Sequence, residues 1–239
     1  MTEVKEISSE VNASYKHFLD IKKNGKKNNL VLVEGKDLVD ACKSADRLVC
    51  VISFEFQPRY SDCSQFILTR KLYKNLSSYQ SLPQVMGIAK YSLAESITNR
   101  IIYLDGIQDP GNLGTIERSA LAFGFSSVVL SKDCVSPFNF KAVQASKGSM
   151  FELKIAYMEL EEIVQKGYEL YLTCLDGEDI KRTKINKDGR ICLVIGNEGQ
   201  GIRASHLELP GHKIKLIIDD KIESLNAGVA ASIFMYLWS

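Results

Sequence analysis

The chain has 239 residues, of which 45% are hydrophobic and 25% charged, with a formal net charge of +1. This is the composition of an ordinary globular protein, long enough for one large domain or two smaller ones. So nearly neutral a chain is no polycation, and its bulk charge gives no reason to expect nucleic acid as a partner. The first 95 residues do hold a modest excess, 14 Lys and Arg against 11 Asp and Glu, much of it in Lys16, Lys22, Lys23, Lys26 and Lys27. Taken alone, that run reads as a solvated loop. From residue 30 short apolar runs alternate with amphipathic ones. Residues 30–33, 48–52, 66–68 and 85–89 have strand character, and 37–45 and 70–77 have helical character. Pro58, Pro83 and several serines punctuate the series, which predicts a small α/β unit ending near Tyr91.

The polar stretch 92–100 is the candidate linker, dividing the chain into domains of residues 1–95 and 96–239. A stronger series follows. Residues 101–104, 127–130, 169–174, 191–195 and 214–218 are strand-like, and 112–123, 138–146, 160–166 and 226–238 are helical. Strands separated by helices predict an α/β domain with a mostly parallel sheet covered on both faces. The six cysteines (Cys42, Cys50, Cys63, Cys134, Cys174, Cys192) form no C-x-x-C pair and have no histidine at zinc spacing. They read as buried thiols of a reducing cytoplasm, with no disulfide and no metal site. The first twenty residues lack a signal peptide, and the longest apolar run, 229–238, is too short to span a bilayer.

Three clusters carry the chemistry. LDGIQDPGNLGTIERSALAFG, residues 104–124, leaves a strand through a turn at Asp109–Asn112 and enters a helix bearing Arg118. Glu117 projects about 100° away from Arg118 around that helix, so the two need not pair. LVIGNEGQGI, residues 193–202, is a glycine-rich turn after a buried strand, a usual place for main chain to approach a nucleotide-like ligand. Glu198 in its middle, and the lack of a following Gly-Lys-Ser/Thr, disfavour a phosphate. A cofactor with a sulfonium and an ammonium group fits better. IKLIIDDKIESLNAGVAASIFMY, residues 214–236, runs from a strand through a polar turn into a small-residue helix. Taken singly, Ser224 and Asn226 there are capping residues.

In this order the three clusters resemble the signature motifs of the SpoU (TrmH-type) RNA ribose 2′-O-methyltransferases of the SPOUT superfamily, over residues 101–239. The resemblance implies a C-terminal SPOUT domain with a parallel sheet and a trefoil knot, which general topology rules would not suggest. Residues 30–52 are similar to the small L30e-like α/β domain that binds substrate in many members, with Val33-Glu34-Gly35 its most recognisable piece. The implied activity is methyl transfer from S-adenosylmethionine to a ribose hydroxyl of structured RNA. The accessory domain favours ribosomal RNA over tRNA. A cytoplasmic homodimer is implied as well, with residues 229–238 supplying buried surface unless they only fill the protomer's own core.

By the same resemblance Arg118 acts at the ribose hydroxyl, either taking its proton or positioning it with the RNA phosphate. An arginine normally keeps its proton, so both roles stay open. Asn112, Ser224 and Asn226 would orient Arg118 and the ribose, and Glu198 would anchor Arg118 or shape the cofactor loop. The cofactor would sit against Gly196, Asn197, Gly199, Ile217, Ile218 and Leu225. Lys22, Lys23, Lys26 and Lys27 would meet RNA phosphates. The sequence departs from many relatives at Ile217, Ala227 and Gln144, where proline, valine and arginine are common. The first two bear on cofactor packing and the third on an RNA contact. None of His17, His206 and His212 falls in a motif, so no catalytic histidine is expected. Two other readings compete. A non-catalytic RNA-binding or ribosome-assembly protein of this fold would be expected to lose the motif polar residues, yet all are present. A nucleotide-dependent oxidoreductase needs G-x-G-x-x-G after the first strand, where DGIQDPGNLG stands instead.

Overall fold

The computed structural model describes residues 3–24, 29–186 and 188–239. In chain order the elements are β1 (Val4–Ile7), α1 (Ala13–Asn24), β2 (Leu30–Glu34), α2 (Lys36–Ser44), β3 (Leu48–Ser53), β4 (Gln65–Leu68), α3 (Arg70–Leu76) and β5 (Met86–Lys90). There follow β6 (Arg100–Asp105), α4 (Pro110–Ala122), β7 (Ser127–Leu130), α5 (Phe140–Ser146), β8 (Lys154–Tyr157), α6 (Leu160–Gln165) and β9 (Glu169–Asp179). The last are β10 (Ile191–Gly196), α7 (Ala204–Leu207), β11 (Gly211–Lys215) and α8 (Ala227–Leu237). Contacts divide the chain into two units, Met1–Ser92 with Phe138–Phe151, and Leu93–Pro137 with Glu152–Ser239. A single cut therefore does not describe the chain, because α5 packs on β2 of the first unit.

The first unit is a five-stranded sheet in the order β1-β4-β3-β5-β2, with β5 antiparallel to both of its neighbours. Its core joins Ile52, Leu68, Leu72, Leu76 and Met86 to Tyr15, Phe18 and Ile21 of α1. Those three residues lie on one helical face, so the basic run from residue 16 is in part a docked helix and not a solvated loop. Lys22 is turned to structural use. Its ammonium donates to the Leu76 carbonyl (2.7 Å) at the end of α3. Lys23 is exposed, and Lys26 and Lys27 lie outside the described residues.

Gln144 is also structural. It is 8% exposed, and its amide nitrogen donates to the Glu34 carbonyl (3.1 Å) while its oxygen accepts from the Glu34 N–H (3.0 Å). Because β2 is an edge strand, this amide takes the place of a missing neighbour. The glutamine that stands where many relatives have arginine thus serves a sheet-edge contact. Gln144→Leu should lower stability by about 1–3 kcal/mol, the cost of leaving that N–H and C=O unpaired, a shift readable in a thermal melt.

The second unit is a six-stranded, all-parallel sheet in the order β11-β9-β10-β6-β7-β8. Its central strands are buried on both faces and accordingly read as near-continuous apolar runs, such as ICLVI in β10. β11 begins earlier than the apolar run suggests and ends at Lys215, so residues 216–218 leave the sheet. Helix α8 packs on α4, with Ser119 and Ser232 hydroxyls 2.7 Å apart. Its C-terminal end is held by Arg100, whose guanidinium donates to the Trp238 carbonyl (2.7 Å). Of the six thiols, Cys42, Cys50, Cys134 and Cys192 are buried, while Cys63 and Cys174 are only half-buried. Among the described residues no helix is long and apolar enough to cross a membrane.

Candidate active site

A cleft of about 450 Å³ opens beyond the carboxyl end of β10, where open parallel sheets usually bind ligands. One wall is the loop that leaves β10 at Gly196. A Cβ at 196 would collide with the main chain of Gly201 and Ile202, so only glycine permits the return. Asn197 and Gly201 exchange main-chain hydrogen bonds (2.9 and 3.0 Å), and the Asn197 carboxamide oxygen accepts from the N–H groups of Gly199 and Gln200. Glu198 is thereby held at the tip.

The Glu198 carboxylate turns toward the first motif. It accepts from the main-chain N–H of Gln108 (3.2 Å) and Asp109 (3.1 Å) and from the Asn112 amide (3.0 Å). Burial pushes its pKa up, but the Asn112 amide and the main-chain N–H groups of Glu198, Asp109 and Gln108 outweigh this and hold it below the ordinary value. It is therefore charged at neutral pH, facing the N-terminal end of α4. The Asn226 amide donates in turn to the Asn112 carboxamide oxygen (2.9 Å), while its own oxygen caps α8 through Gly228 and Val229. One continuous chain of hydrogen bonds thus joins Glu198, Asn112 and Asn226, residues from all three motifs.

Ser224 and Leu225 line the cleft, as do Gly196, Asn197, Gly199 and Ile218. Ile217 does not. Its side chain is 65% exposed, because Leu216 and Ile218 on either side of it face the cleft and alternation sends 217 outward. Arg118 stands apart. It is exposed and has no hydrogen bond or ion pair among the described residues. Six residues on from Asn112, it lies about 9 Å farther along α4 and about 120° around it. Of the two expected roles of Glu198, the anchoring of Arg118 is not formed in this chain; its carboxylate holds the loop to the start of α4.

The sequence reading missed the opposite wall, Thr173, Cys174, Leu175 and Asp176 of β9. Among the described residues, the charged ones lining the cleft are Asp176, Glu198 and Glu223 against Lys215, a balance that suits a cationic, phosphate-free ligand. Main chain and apolar side chains supply the rest of the lining. Of the histidines, His17 is exposed, His212 pairs with Glu169 (2.7 Å), and His206 is buried against Asp105 (2.9 Å). None of them lines the cleft. No group of three or more His, Cys, Asp or Glu among the described residues is placed to hold a metal ion.

Fold and cleft together define a parallel α/β domain with a cofactor loop stitched to a helix N-terminus. Residues 99–236 match the SpoU rRNA Methylase family. Over 98% of both chains the sequence is 29% identical to the 23S rRNA (guanosine(2553)-2′-O)-methyltransferase RlmP of Bacillus subtilis (strain 168). It is 32% identical to the 23S rRNA (guanosine-2′-O-)-methyltransferase RlmB of Xanthomonas campestris pv. campestris, over 57% of this chain and 56% of that protein. The crystal structure of an AdoMet-bound rRNA methyltransferase from Sinorhizobium meliloti superposes with a TM-score of 0.85, at 23% identity, covering 98% of this chain and 96% of that one. The AdoMet complex of the SpoU methyltransferase AviRb from Streptomyces viridochromogenes gives 0.82, at 18% identity, over 94% and 96%. The chain belongs to the SpoU rRNA Methylase family.

Proposed function

We propose that this chain transfers the methyl group of S-adenosylmethionine to a ribose 2′-hydroxyl of ribosomal RNA, as a cytoplasmic homodimer. The observation that carries the reading is the hydrogen-bonded chain Glu198–Asn112–Asn226 at the edge of a cleft rich in carboxylates. The two 23S rRNA relatives point to the same substrate class. When bound, the cofactor supplies an electrophilic methyl on a sulfonium. Gly196, Asn197, Gly199, Ile218 and Leu225 would hold it, with Leu216 replacing the side chain of Ile217. Glu198 keeps the α4 turn in register, Asn112 and Asn226 present polar groups to the ribose, and Ser224 does so from the cleft wall. Arg118 positions the RNA phosphate and the hydroxyl through its planar guanidinium.

The first unit serves as an L30e-like substrate-binding domain, with Lys23, and Lys26 and Lys27 beside it in sequence, toward RNA phosphates. The segment after β11 passes through the trefoil knot. A second copy covers Leu121, Val229, Tyr236 and Leu237, apolar side chains that α4 and α8 leave 38–64% exposed although Ala231, Phe234 and Met235 fill the protomer's core. Sedimentation showing only a 26.7 kDa species at micromolar concentration would remove the dimer.

The test is to incubate the protein with tritiated S-adenosylmethionine and either ribosomal RNA or tRNA, then hydrolyse in alkali. A 2′-O-methylated ribose blocks cleavage, so label is expected in alkali-resistant dinucleotides from ribosomal RNA. Label confined to tRNA would change the substrate, and none in either would overturn the activity.

A further inference from the structure

A second carboxylate sits behind the cofactor loop, away from Glu198. Asp105, the last residue of β6, is 1% exposed and lies opposite Gly196 in the β6–β10 register, where the loop begins. Its Oδ2 accepts from the main-chain N–H of Arg203 (2.9 Å) and lies 2.9 Å from Nδ1 of His206. Its Oδ1 is 2.9 Å from Nε of Arg203, an ion pair that lacks hydrogen-bond geometry, so this oxygen is held by charge alone. All three partners come from the segment that follows the loop. The Arg203 guanidinium reaches on to Asp133, whose carboxylate also accepts from the Ser131 hydroxyl (2.6 Å). Ser131 in turn accepts from the N–H of Gly106, and the Gly106 carbonyl accepts from the Asn197 amide (2.7 Å).

We infer that Asp105 and Arg203 are positioning residues for methyl transfer, clamping the point where the cofactor loop re-enters the fold. The inference rests on reading the cleft as the cofactor site. A fully buried carboxylate is retained only where every partner is in place, since removing one leaves a charge without compensation. Here those partners tie the loop's exit to its entry. The other ties among the described residues, Asn197 to Gly106 and Glu198 to the α4 turn, fix its middle. With Arg203 released, residues 197–201 can pivot between those contacts and the buried side chain of Ile202. Glu198 and the cleft wall move with them, and a displacement on the order of 1 Å at a reacting centre can cost a hundredfold.

Asp105→Asn alone risks unfolding, so the informative variants are the charge-balanced pair Asp105→Asn with Arg203→Met, and the milder Arg203→Lys. Three readouts separate positioning from simple stability: hydrogen exchange at the amides of residues 199–201, S-adenosylmethionine affinity by calorimetry, and the KM for RNA. In the folded pair variant the loop amides should exchange at least about tenfold faster and cofactor Kd should rise about tenfold, with the KM for RNA unchanged within about twofold. Arg203→Lys, able to meet one carboxylate but not both, should fall between. Loop exchange and cofactor affinity within twofold of the parent, in a folded pair variant, would overturn the inference. A parent protein that binds no S-adenosylmethionine would instead refute the functional reading, while loop exchange still tests the clamp.

Discussion

Arg118→Ala is expected to lower kcat for RNA methylation by about two to four orders of magnitude and to leave the melting temperature and cofactor affinity unchanged. Stability should not move because the side chain is exposed and has no hydrogen bond or ion pair among the described residues. Cofactor affinity should not move because Arg118 does not line the cleft. Activity should fall because a ribose hydroxyl is a weak nucleophile that must be aligned with the methyl group, and an exposed guanidinium is suited to grip the adjacent phosphate. Arg118→Lys should recover little, since an ammonium cannot reproduce the planar two-pronged contact. Single-turnover transfer of tritiated methyl, beside calorimetry on the same preparations, gives both numbers. Turnover within threefold of the parent would remove Arg118 from the site.

How far such residues were legible depended on the kind of information each required. The strands β6 and β10 stood out as apolar runs ending in glycine-rich turns, because burial on both faces leaves no polar alternation. β1 was invisible for the opposite reason: of VKEI only Ile7 is buried. α1 was hidden by its lysines, although Tyr15, Phe18 and Ile21 mark a docked face. In the site, Asp109 as a cap and Gly196 as a tight turn follow from local chemistry. The contacts Asn112–Glu198 and Asn112–Asn226 span 86 and 114 positions, which no local period encodes; only the likeness to a family united them. Ile217 was misplaced because the apolar run 214–218 reads as one strand, whereas the sheet ends at Lys215. The wall at Cys174–Asp176 was missed because the strand read there runs five residues farther, to Asp179.

The residue beside Arg118 supports the largest stability effect. Leu113, Ile116, Glu117 and Ala120 occupy the inward face of α4 at the i, i+3, i+4, i+7 spacing, so position 117 is a core position filled by a carboxylic acid. Glu117 is 0% exposed, and neither of its oxygens has a hydrogen-bond partner among the described residues. Burial alone raises its pKa well above the ordinary carboxylate value and so favours the neutral acid in the folded protein. In the unfolded chain it ionises near pH 4.3. Stability is then greatest below that pH and falls as pH rises, by about 1.4 kcal/mol per unit, until the folded-state pKa is passed. Glu117→Leu removes both the ionisation and the unpaired polar atoms. It should raise stability near pH 7.5 by about 2–4 kcal/mol, or about 5–10 °C in melting temperature. The advantage of the variant should shrink steadily as pH falls toward 4.3. Melts of parent and variant across pH 4 to 8 decide the matter: a difference independent of pH would mean that Glu117 is charged in the fold and meets a partner there.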